Sequence, residues 1–102
     1  MKKPDEQIFI GIWNLAEKEG EKASQLARAD KLYARGGISI FDKRRKFVKW
    51  VAKTHESIDY DDCVYISEGG GQWYFQSHAY ADAFCKVLKR FRIACKNDVV
   101  LD

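Results

Sequence analysis

The stretch from Ser77 to Asn97, SHAYADAFCKVLKRFRIACKN, constrains this chain more than any other. At 100° per residue Tyr80, Ala81, Phe84, Val87, Leu88, Phe91, Ala94 and Cys95 fall on one continuous apolar arc. Asp82, Lys86, Lys89, Arg90 and Lys96 occupy the other side, with Asp82 and Lys86 four apart in the favourable order. The pattern predicts an amphipathic helix opened by Ser77 or His78 and stopped at Asn97, and such a helix must bury its stripe against another element. Cys95 lies on the arc as a small core residue, and Cys85 lies at its border, partly exposed.

The remaining elements are predicted around that helix. Pro4 followed by Asp5 and Glu6 suits a helix opening, because proline fits the first turn and carboxylates favour the positive end of the helix dipole. Ile8, Phe9, Ile12, Leu15 and Ala16, then Ala23, Leu26, Ala27, Tyr33 and Ala34, keep one phase across Gly20. This reads as a long helix from about Asp5 to Arg35, bent or broken near Gly20, with a helical hairpin as the second reading. Gly36-Gly37 supplies a left-handed stop. "GISIF" is short, β-branched and alternating, a brief strand, and Ser39 or Asp42 caps a helix running to Thr54 or His55. "CVYIS" and "QWYFQS" flank "EGGG", which predicts an antiparallel hairpin, or a three-stranded sheet, with a glycine-rich turn. A phosphate-cradling role for the glycines is disfavoured, because neither a helix start nor a lysine follows directly. "DVVLD" trails as a tail or edge strand. The sum is an α+β fold in a single small domain, residues 1–102, with helices over one face of a small antiparallel sheet.

Composition narrows the function classes. A chain of 102 residues with 46% apolar and 14% aromatic residues is sized and built for one core, not for disorder. No apolar run is long enough to span a bilayer, and "MKKPDEQ" lacks the apolar segment of a secretory leader. Three cysteines, Cys63, Cys85 and Cys95, fit free thiols in a reducing cytoplasm. With His55 and His78 they show none of the close ligand pairs of zinc sites, so no metal and no cofactor is expected. Charge is segregated: residues 31–55 carry eight Lys/Arg and one Asp, whereas residues 56–85 carry six Asp/Glu and no Lys/Arg. The two blocks either neutralise each other internally or form separate faces for two kinds of partner.

The sharpest segment is "DKRRKFVKW", Asp42 to Trp50. As a helix it points Phe47, Val48 and Val51 to the core, joined by Ile40 and Phe41 if it starts early. Lys46, Lys49 and Lys53 point outward. Two residues break the pattern. Trp50 falls in line with Lys43, Lys46 and Lys53, either covered by the hairpin or the first helix or presented as an anchor among cations. Arg44 falls on the apolar arc, read as a structural pairing residue. In "WYF", strand alternation sends Trp73 and Phe75 one way and leaves Tyr74 beside Tyr65 as an aromatic pair. A winged helix-turn-helix with residues 39–54 as recognition helix is a weaker reading, because Glu68 at the hairpin tip would repel phosphate and no partner helix precedes it closely.

Catalysis is not expected. Cys63 with His55 or His78 has no supporting flanks, and Asp59, Asp61 and Asp62 lack the glycine and closing glutamate of a calcium loop. The expectation is a non-catalytic binding protein that docks on nucleic acid or a nucleic-acid-handling complex. Its contact residues would be Lys43, Lys46, Lys49, Trp50 and Lys53, extended by Lys86, Lys89 and Arg90. The alternative is a protein-interaction inhibitor or adaptor of the small phage or mobile-element kind, anti-CRISPR-like in size and charge rather than in sequence. It would meet a protein target through Glu56, Asp59, Asp61 and Asp62.

Overall fold

The computed structural model describes residues 3–28, 30–67 and 73–102. In chain order these form α1 (Lys3–Leu26), β1 (Ala34–Arg35), β2 (Ile38–Phe41), α2 (Lys46–Thr54), β3 (Ile58–Asp59), β4 (Cys63–Ile66), α3 (Tyr74–Arg90), β5 (Cys95–Asn97) and β6 (Val100–Leu101). A four-stranded antiparallel sheet has the order β3-β4-β2-β5, and β1 pairs with β6 in a separate two-stranded ribbon. The fold is α+β, as the alternation of patterns implied. No helix among the described residues is long and apolar enough to cross a membrane.

Strand alternation divides the larger sheet into two faces. Ile38, Ile40, Val64, Ile66 and Cys95 point inward and share one core with Ile12, Trp13 and Ala16 of α1, Phe47, Val48, Trp50 and Val51 of α2, and Tyr80, Ala81, Phe84, Val87 and Leu88 of α3. All three helices therefore pack on one side of the sheet. Ser39, Phe41, Cys63 and Tyr65 point the other way, and none of them belongs to that core.

The first helix is shorter than its periodicity suggested. It runs unbroken through Gly20 and ends at Leu26. Gly20 marks a close approach rather than a bend: a Cβ there would lie 2.9 Å from two carbons of the Tyr80 ring. The buried stripe is also rotated, taking in Ile12, Trp13 and Ala16 while Ile8 stays 59% exposed and Leu15 lies at the surface. Residues 31–35 leave helical phase because distant partners claim them. The Leu32 carbonyl accepts from the Tyr74 N–H at 2.6 Å, Tyr33 bridges Trp73, and Ala34 and Arg35 pair with Leu101 and Val100. Gly36, at φ +95°, lies between β1 and β2, where a Cβ would strike the Asp98 carbonyl; it stops no helix.

The antiparallel hairpin exists but is built from other strands. β4 pairs with β3 on one side and β2 on the other, so the hairpin spans residues 58–66. The segment read as its second strand opens α3 instead: Trp73 is the extended N-cap and Tyr74, Phe75, Gln76 and Ser77 form the first turn. Short apolar runs fit either state, and here the helical period of α3 extends one turn upstream with Tyr74 packed on the core. The glycine-rich stretch Glu68 to Gly71 lies outside the described residues.

At its other end α3 stops at Arg90, well before Asn97. Ile93 N–H reaches the Leu88 carbonyl and Arg92 N–H the Lys89 carbonyl, each at 3.0 Å, with Arg92 at φ 60°. This is a Schellman stop with arginine where glycine is usual, sealed by the buried pair Leu88 and Ile93. Cys95 then enters β5, and Cys85, expected at a border, is fully buried.

Candidate nucleic-acid interface

The expected contact residues do not form one surface. Trp50 is 4% exposed, wedged among Phe9, Trp13, Phe47 and His55 with ring centroids at 5.9, 6.4, 5.8 and 5.2 Å. The first helix covers it, so it is a core residue and not an anchor for a ligand. Its indole Nε1 is buried with no hydrogen-bond partner among the described residues. A wheel drawn for α2 alone shows one apolar arc, but α1 contributes a second covered side, and Trp50 belongs to that one.

Local structure around the basic segment also differs from the expected caps. α2 begins at Lys46 with Arg45 as an extended N-cap that offers no side-chain bond. Asp42 sits at φ 61° in the preceding turn, where its carbonyl accepts from the Arg45 N–H at 3.0 Å. Ser39 is a strand residue whose hydroxyl donates to Asp98. Arg44 lies outside the helix, with a side chain 96% exposed and Asp42 as its nearest carboxylate at 3.8 Å. Arg45 donates to the Arg92 carbonyl, which sets the turn before α2 against the turn after α3.

The lysines divide into paired and unpaired groups. Lys43 Nζ contacts Asp59 Oδ1 and the Tyr60 carbonyl, each at 2.5 Å. Lys46 reaches Asp5 of α1 at 3.8 Å, and Lys86 reaches Asp82 at 3.2 Å. Among the described residues Lys49 and Lys53 meet no carboxylate. These two, with Lys43, rim a groove of about 440 Å³ between α2 and the β3–β4 hairpin. Val48, Ala52 and Val64 line its apolar wall, and Asp59 closes one end. Lys86, Lys89 and Arg90 lie on α3 and do not line this groove. The groove thus collects Lys43, Lys49 and Lys53 and leaves out Trp50.

Among the described residues the acidic block meets the basic one in a single ion pair, Lys43–Asp59. Glu56, Asp61 and Asp62 are exposed, with no ion pair among the described residues. Tyr65 pairs edge-on with Tyr60, centroids 6.2 Å apart, rather than with Tyr74. Tyr74 packs on Phe75 and His78 at the start of α3. Tyr60 and Ile58 were missed in the sequence, although "SIDYDD" places both in a β-prone alternation among carboxylates.

The titratable groups read as structural. Burial pushes the Cys63 thiol up, opposed by the Ser39 hydroxyl and reinforced by Asp62 and Asp98. The Cys95 thiol is raised by its hydrogen bond with Cys85 and by burial. His55 stacks on Trp13 at 3.9 Å; burial holds its pKa below the ordinary value, partly offset by Glu17. Its ring neighbours are Trp13 and Trp50, and that of His78 is Tyr74. Among the described residues no three His, Cys, Asp or Glu side chains converge as metal ligands would. Comparison with family models, with curated proteins and with solved structures finds no match for this chain.

Proposed function

We propose that this is a non-catalytic, cytoplasmic binding protein that docks on nucleic acid through the exposed side of α2. The observation that carries the reading is the pair Lys49 and Lys53, which rim the groove beside Lys43 and form no ion pair among the described residues, the groove's Asp59 being engaged by Lys43. Lys46, one turn earlier, makes an exposed 3.8 Å ion pair with Asp5, which a phosphate can displace at little cost. With Trp50 buried, no ring stacks on bases from this helix. Binding therefore rests on the phosphate backbone, tolerates sequence and weakens with salt as displaced counterions lose their entropic advantage. The free thiols of Cys63, Cys85 and Cys95 support a reducing compartment.

The test is fluorescence anisotropy of labelled single- and double-stranded oligonucleotides over a salt series. The double variant Lys49→Glu, Lys53→Glu should weaken binding and flatten the dependence of log K on log salt by about 0.7–0.9 for each phosphate contact removed. No affinity for DNA or RNA at low salt sinks the reading. A second reading, an adaptor or inhibitor that binds a protein target, is favoured by Glu56, Asp61 and Asp62 standing exposed and free of described ion pairs.

A further inference from the structure

We infer that the outer face of the four-stranded sheet is a docking surface for an arginine- or lysine-bearing segment of a partner protein. The inference rests on the second reading above and is independent of the nucleic-acid reading.

The register lays this face out as a grid. Tyr65 lies between Ile58 of β3 and Ser39 of β2, and Lys96 of β5 continues the row. In the next row Cys63 lies beside Phe41, and the Tyr60 N–H bonds to the Cys63 carbonyl at 2.9 Å. Ile58 is 51% and Tyr60 50% exposed. An antiparallel sheet with one face packed normally turns polar residues outward. Here Phe41, Ile58, Tyr60 and Tyr65 lie on the face opposite the core shared with the helices, around the buried Ser39 and Cys63, with Tyr60 edge-on to Tyr65. Exposed apolar side chains backed by half-buried rings, as Ile58 and Tyr60 are here by Phe41 and Tyr65, mark contact surfaces, and tyrosine is enriched where partners bind.

Charge selects the partner. Asp61 and Asp62 occupy the loop joining β3 to β4, at the edge of the grid, and Asp98 lies beside Ser39. The nearby cations are already engaged, Lys96 with Asp98 at 3.6 Å and Lys43 with Asp59 at 2.5 Å. The remaining field is negative and repels phosphate, so this face does not suit the polyanion assigned to α2. A guanidinium or ammonium fits it, with tyrosine faces for cation–π contact and carboxylates for pairing. Strand addition does not carry the contact: β3 is two residues long, and the carbonyl of Tyr60 beyond it is taken by Lys43. The partner is held through side chains.

The experiment is an amide-shift titration of the full chain with a short peptide of alternating Arg and Val. The same peptide with Glu for Arg, and oligothymidylate, serve as comparisons. The Arg peptide should shift Phe41, Ile58, Tyr60 and Tyr65, and Tyr60→Ala or Asp61→Lys with Asp62→Lys should weaken it by about tenfold. Both variants change exposed side chains. The Lys49→Glu, Lys53→Glu variant should bind it as the unaltered chain does. Absence of shifts at these residues up to about 1 mM Arg peptide, the range of a weak encounter, overturns the inference. An equal response to the Glu peptide also overturns it. So does oligothymidylate shifting the same amides, which would place nucleic acid on the sheet instead of on α2.

Discussion

Replacing Trp50 separates a core residue from a binding anchor. A buried aromatic covers about 150–250 Å², which at about 25 cal/mol per Å² contributes roughly 4–6 kcal/mol. That is an upper figure, because the denatured chain already hides part of the ring. Trp50 is 4% exposed and touches four other rings, so Trp50→Ala leaves a cavity that α1 and α2 close only by shifting. The expected loss is about 3–5 kcal/mol, a large part of the roughly 5–15 kcal/mol typical of a domain. Trp50→Phe behaves differently. It gives up part of the ring but also removes an indole N–H that lacks an acceptor, whose burial costs about 1–3 kcal/mol. The two effects nearly offset, and Trp50→Phe should lie within about 1 kcal/mol of the unaltered protein. Urea unfolding followed by far-UV circular dichroism measures both, and anisotropy on the folded Trp50→Phe variant measures nucleic-acid affinity. A Trp50→Ala loss under about 1 kcal/mol, far below the range for buried aromatics, refutes the packing argument. So does a Trp50→Phe variant that folds normally yet loses nucleic-acid binding.

Three further outcomes are expected. Gly20→Ala gains about 1 kcal/mol of helix propensity but drives its Cβ to 2.9 Å from the Tyr80 ring, a clash of about 1–3 kcal/mol. Chemical denaturation should show a net loss in the natural background and a gain with Tyr80→Ala, and additivity of the two changes would contradict the contact. Arg92→Gly should raise the melting temperature by a few degrees, about 0.5–1 kcal/mol, because glycine takes the left-handed stop at φ 60° without strain; a fall would mean that the arginine side chain itself holds the turn. His55 titrates below its ordinary 6.5, chiefly through burial, so the unfolded chain binds its proton more readily. Its contribution to stability is complete above pH 6.5 and declines as pH falls from there toward the folded value. Unfolding measured across that window should lose this slope in His55→Gln.

How much of this was legible depends on where the deciding contacts lie. In α3 the part of the arc made by Tyr80, Ala81, Phe84, Val87 and Leu88 is buried as its periodicity demands, because one face of a helix meets one core, whereas Phe91 and Ala94, read on the same arc, fall beyond the helix and are exposed. The end of α3 was hidden because arginine occupies the left-handed position that glycine usually marks. The end of α1 was hidden because Tyr33 to Arg35 keep helical phase in sequence but pair with Trp73, Val100 and Leu101, far along the chain. The segregated charge was plain, and so was the basic character of α2. Which lysines are paired was not, since Asp5 and Asp59 reach them from other elements.

By itself, then, the sequence determined the α+β class, the amphipathic third helix and the division into a basic and an acidic block, all of which follow from local period and composition. Tertiary structure alone decided which residues those blocks present. α1 crosses α2 and turns Trp50 from a surface residue into core, and the β3–β4 hairpin leaves Lys49 and Lys53 at the rim of a groove. The same hairpin leaves Tyr60 and Ile58 exposed on the outer sheet face. The reason is physical: periodicity records one buried face per element, whereas a helix packed between another helix and a sheet has two.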